Sequence, residues 1–140
     1  MSSLRTTSLV IAAGTAALFS GSATAQETMT VADVGRDYFQ RYCSSCHGSE
    51  GKGDGPFANL LKTPPPDLTT LAQRNGGSFP DLKVAETIDG RRPLGAHGTR
   101  DMPIWGERFG ETVAGGPAAQ SAIRGQVALF VAYLRSIQQE

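Results

Sequence analysis

Two cysteines, two histidines and one tryptophan in 140 residues rule out any chemistry that needs many such side chains. At most one intrachain disulfide can form, so no multi-bridge framework holds this chain together. Charge of one sign is missing as well. Thirteen Lys and Arg balance thirteen Asp and Glu, and no block of like charge interrupts the sequence. That excludes the basic footprint of a nucleic-acid-binding protein and gives no sign of a charged disordered tail. Long apolar runs are absent too. The longest is "LVIAAGTAALF" near the N-terminus, shorter than the roughly 20 residues a membrane-spanning helix needs. There is no internal repeat, and no stretch of four or more residues alternates as a strand does.

The N-terminal apolar run has a different reading. Arg5 is the only charge before Glu27, the apolar core follows it, and "ATA" at Ala23–Ala25 is a small-x-small cleavage site. Residues 1–25 are therefore expected to be a secretory signal peptide, with an uncleaved inner-membrane anchor as the alternative. Residues 26–140 then form a single domain of ordinary size. Removing Arg5 tips the charge balance by one toward the acidic side. A domain this small buries a limited core, so a large bound apolar group would help stabilise it.

The two cysteines, Cys43 and Cys46, stand in "CSSCHG" with His47 directly after them. Three readings compete. An exported protein can carry a Cys43–Cys46 disulfide, structural or redox-active. Thioredoxin-like motifs, however, open a helix after a strand, whereas "GRDYFQRYCSSCH" reads as the end of a helix. A zinc site needs four ligands, adjacent Cys46 and His47 make awkward tetrahedral partners, and one further histidine remains, His97. The third reading is C-x-x-C-H, the attachment signature of c-type haem. Sulfurs at i and i+3 share a helix face and reach the two vinyl groups along one haem edge, and the next residue directs its imidazole at the iron. A neutral imidazole nitrogen suits iron, and attachment of this kind takes place outside the bacterial cytoplasm.

The rest of the chain reads as helices separated by loops. Thr30 with Asp33 three residues on makes a capping-box start, and Val31, Val34, Tyr38 and Tyr42 recur at helical spacing. A helix is expected from about Val31 to Cys46, its aromatics packing the core. From Gly48 to Gly77, "GSEGKGDGP", "KTPPPDL" and "RNGG" specify turns, with one helical turn at "FANLL". So large a fraction of a small domain is expected to wrap around something. "SFPDLKVAETIDG" gives a helix with Pro80 near its start, Leu82, Ala85 and Ile88 on one face, and Gly90 as its stop. "RRPLGAHGTRDMPIWGERFGE" is loop-like. Ile123, Val127, Phe130, Leu134 and Ile137 form one apolar stripe on a last helix, weakened modestly by Gly125. The expected class is all-α with long Gly/Pro-rich loops.

With "CSSCHG" after the first helix, "DMPIWG" in a late loop and "LFVAYLRSI" closing the chain, the sequence resembles the class I c-type cytochromes over most of its length. The four-helix cytochromes c′ carry their haem motif near the C-terminus and are excluded by the early position of Cys43. The resemblance implies a small cytochrome c fold whose first and last helices cross, with Gly35, Phe39 and Tyr133 at the contact. It implies one haem c, held by Cys43 and Cys46, with His47 as the proximal iron ligand and Met102 as the distal one. His97 is the alternative distal ligand. Met102 precedes Pro103, so its backbone is biased toward an extended form that presents a side chain from a loop, while His97 lies between Ala96 and Gly98 with no evident support. The Pro56 carbonyl is the expected acceptor for the other His47 nitrogen, and Trp105, Arg91 and Arg92 are candidates to hold the propionates.

The function so implied is single-electron transfer between periplasmic or membrane redox partners. The chain would act as a soluble carrier or as the electron-transfer subunit of a dehydrogenase or oxidase complex, and not itself as an enzyme. Donor and acceptor would be redox proteins such as a dehydrogenase, a quinol-oxidising complex or a terminal oxidase. Arg91, Arg92 and Arg100 form a local basic rim for an acidic partner. Two alternatives stay open: a peroxidase-like or gas-binding haem protein with a free sixth position, and a disulfide protein without haem.

Overall fold

The computed structural model describes residues 28–90, 101–111 and 115–139. Six α-helices and no strand occur among them. The first helix, α1 (Val31–Tyr42), begins at the capping box read from the sequence. The Thr30 hydroxyl accepts the Asp33 amide, and the Asp33 carboxylate accepts the Thr30 amide at 2.9 Å. Its end differs from the expectation of one helix to Cys46. The chain breaks at Cys43 and resumes as a single turn, α2 (Ser44–His47). The Ser44 hydroxyl donates to the Gln40 carbonyl at 2.6 Å, a side-chain bond to the preceding turn that bends helices.

The glycine- and proline-rich stretch that follows contains a 3₁₀ turn at Ala58–Leu60, a second at Leu68–Thr70 and the short α3 (Leu71–Arg74). Its second half is tied to the residues just past the last helix. Gln138 accepts the Ala72 amide at 2.9 Å and donates to the Leu68 carbonyl at 2.8 Å, and the Gln139 amide donates to Thr69 O at 2.9 Å. The fourth helix, α4 (Asp81–Asp89), starts after Pro80 and stops at Gly90, which takes the left-handed conformation. Its core face is Val84 and Ile88. Leu82, expected on that face, is 74% exposed; the i, i+4 pair Val84 and Ile88 meets the core, and Leu82 points out of it. The expected loop after Gly90 also holds a helix, α5 (Trp105–Gly110).

The last helix, α6 (Pro117–Ser136), has the expected stripe. Ile123, Val127, Phe130 and Leu134 are buried and Ile137 half-buried, joined by Ala119 and Tyr133. Its most extensive contact is with α1. The residues expected at that crossing are the ones found there. The Phe39 and Tyr133 rings lie 5.0 Å apart, and a Cβ on Gly35 would strike the Leu129 carbonyl, with Tyr133 Cβ at 3.0 Å. No helix among the described residues is long and apolar enough to cross a membrane.

Two helical glycines give a paired prediction. Gly35→Ala adds helix propensity but pushes α1 off the α6 backbone, and is expected to destabilise by about 1–3 kcal/mol. Gly125→Ala enters open space on α6 and is expected to stabilise by up to about 1 kcal/mol. Urea unfolding of the two variants beside the parent checks both signs.

Candidate cofactor site

The bend at Cys43 sets up one compact turn. The Cys43 amide donates to Phe39 O at 2.9 Å, while the Cys43 carbonyl accepts Cys46 N at 3.2 Å and His47 N at 2.9 Å. Both cysteines are half-buried and unbridged, so the turn is not closed by a disulfide. Burial, with Cys46 close by, pushes the Cys43 thiol up to about 12. His47 is half-buried, and burial holds its pKa below the usual value, so its ring is neutral at pH 7. Its Nδ1 is buried with no hydrogen-bond partner. A buried polar atom left this way is costly, and in the C-x-x-C-H reading it is the nitrogen that orients the ring rather than the one that faces a metal.

The loop after the motif folds back onto it. Gly53, Gly55 and Phe57 donate to the carbonyls of His47, Cys46 and Ser45 at 2.8, 3.2 and 2.9 Å. Three orphan carbonyls at the end of a short helix are thereby satisfied. The approach is so close that a Cβ on Gly55 would lie 2.6 Å from the Ser45 carbonyl oxygen, so no other residue fits there without a shift. The Pro56 carbonyl does not take the His47 ring nitrogen as expected. Pro56 is exposed, and the amides on either side of it, not its carbonyl, are the groups engaged with the motif.

Met102 is half-buried and packs against the core cluster that also receives Cys43, Tyr42 and Trp105. Tyr42, directly before Cys43, meets Trp105 edge-on at 5.7 Å and Phe109 at 5.6 Å, and Phe109 stacks on Phe130 at 5.8 Å. Trp105 thus packs in an aromatic cluster behind the motif. Sequence reasoning missed α5 and with it Phe109. The signal was present in the i, i+4 spacing of two aromatics, Trp105 and Phe109, obscured by Gly106 and Gly110. His97, Arg91, Arg92 and Arg100 lie outside the described residues.

The donor set is therefore two thiols and a neutral imidazole on one turn, with a thioether on a neighbouring segment against the same core. Among the described residues no group of three or more His, Cys, Asp or Glu side chains is arranged to hold a metal ion, which leaves the zinc reading without ligands there. Thiols for covalent attachment, a nitrogen ligand and an apolar aromatic surround fit haem c. A family model described as Cytochrome c matches residues 32–138. Neither the curated proteins nor the solved structures contain a match to the chain.

Proposed function

The chain belongs to the cytochrome c family, and from that premise we propose that it is an exported monohaem electron carrier whose iron is held by His47 and Met102. Family membership carries the coarser statement, a haem-based electron-transfer role with redox proteins as partners. Haem c, when bound, supplies a one-electron ferrous/ferric couple. Cys43 and Cys46 would hold it through thioether bonds, and the single C-x-x-C-H in the sequence supports one haem. The observation that carries the reading is the C-x-x-C-H turn itself: two unbridged, half-buried thiols and the half-buried His47 ring on one short arc, braced by the loop that ties down the Ser45, Cys46 and His47 carbonyls.

The other residues orient and shield. Tyr42, Trp105, Phe109 and Phe130 exclude water behind the motif, and low polarity there favours the less charged, reduced state of a metal centre. Met102 would supply the second ligand to the iron, leaving no open position for a substrate, and the protein would set potential and partner choice. Residues 1–25 direct export to the periplasm, and the basic segment Arg91, Arg92 and Arg100 docks an acidic partner. Intact-protein mass spectrometry is expected to give the mass of the cleaved chain plus one haem, and film voltammetry one reversible one-electron wave. A second haem mass, or a catalytic current with peroxide in place of a reversible wave, would contradict the proposal.

A further inference from the structure

Met102 lies just before one tight contact between two helices. The last residue of α4, Asp89, packs against the first turn of α5 at Gly106, which is buried. A Cβ built on Gly106 would collide with the Asp89 carboxylate and would stand 2.6 Å from the Asp89 backbone oxygen. A side-chain tip can swing away; a helix-terminal carbonyl cannot move without moving α4. Gly106 is therefore required at this position by close approach of two backbones, as Gly35 is at the α1–α6 crossing.

The place of the contact gives it a role. Met102 stands four residues before Gly106, so the contact anchors the α5 end of the stretch that carries it. Between Met102 and Gly106 stand Pro103, Ile104 and Trp105. Ile104 is extended at φ −80°, ψ 94°, and Trp105 is held by Tyr42 and Phe109. Proline fixes its own φ and restricts the residue before it, so this short link transmits displacement of Gly106 to Met102 with little slack.

We propose that the seat formed by Asp89 and Gly106 is a positioning contact for the distal ligand, fixing Met102 against the iron and keeping that position closed to external ligands. The inference rests on the reading of Met102 as the distal ligand. It concerns binding geometry, and neither residue touches the iron.

The test is imidazole titration of the ferric holoprotein, followed by the far-red band of sulfur-ligated iron. Gly106→Ala is expected to bind imidazole roughly tenfold or more tighter than the parent, the scale of forcing packed elements apart. Asp89→Ala/Gly106→Ala, which removes the carboxylate collision and keeps the backbone one, tests the seat even if Gly106→Ala alone fails to fold, and is expected to shift affinity in the same direction by a smaller factor. Gly110→Ala, in the same helix and facing only Ile123 Cδ1 at 3.4 Å, is expected to match the parent. Parent-like imidazole affinity in the double variant and in any folded Gly106→Ala would overturn the proposal, as would an equal shift in Gly110→Ala. A parent without the far-red band, unchanged by Met102→Ala, would instead remove the distal-ligand reading, and the seat's role would fall with it.

Discussion

The Cys43→Ser/Cys46→Ser variant is expected to surrender its haem completely to acidified organic solvent, where the parent retains all of it. The reason lies in the geometry of one turn. The Cys43 carbonyl accepts the amides of both Cys46 and His47, which places both thiols and the imidazole on the same short arc. Serine keeps the backbone and most of the volume but forms no thioether, so the change isolates the covalent bond. Each single variant is expected to keep haem through the remaining sulfur. Haem staining on a denaturing gel reads the outcome directly. A stained band in the double variant would mean that attachment does not run through this motif. Stability should fall as well, because a small domain with a limited core leans heavily on a bound apolar group.

Met102→Ala carries the second large effect. Removing the thioether is expected to abolish the far-red ferric band, let the ferrous protein bind carbon monoxide at once and lower the reduction potential, since Met ligation raises it. His97→Ala is expected to change none of these. Retention of the far-red band in Met102→Ala would shift the ligand elsewhere. Because Met102 is half-buried against the core, part of any stability loss will be packing rather than ligation. The spectrum separates the two, since packing alone leaves sulfur on the iron.

Most of the scaffold could be read before any coordinates. The α1 capping box and the α6 stripe rest on local periodicity, which sequence encodes strongly, whereas the Gly35–Phe39–Tyr133 crossing was implied by the resemblance to the class I c-type cytochromes. The interruption at Cys43 could not be read, because it turns on the Ser44 hydroxyl choosing the Gln40 carbonyl over solvent. Leu82 was misplaced because an apolar residue at a plausible helical spacing gives no indication of which face finds a partner. The short α5 was lost between two glycines, one of which is there for the Asp89 contact and not for a turn. The spacing of Cys43, Cys46 and His47 was visible in the sequence itself. The missing partner of the His47 nitrogen was not, since it depends on where a loop fifty residues into the chain lays its amides.

The central claim is an iron closed on both sides, by His47 and by Met102. The absorption spectrum of the purified parent protein, ferric and then ferrous under carbon monoxide, tests it most directly. A far-red ferric band and a ferrous spectrum unmoved by carbon monoxide are the predicted result. No far-red band, with immediate carbon monoxide binding, would contradict it and make an open-site haem protein the correct account.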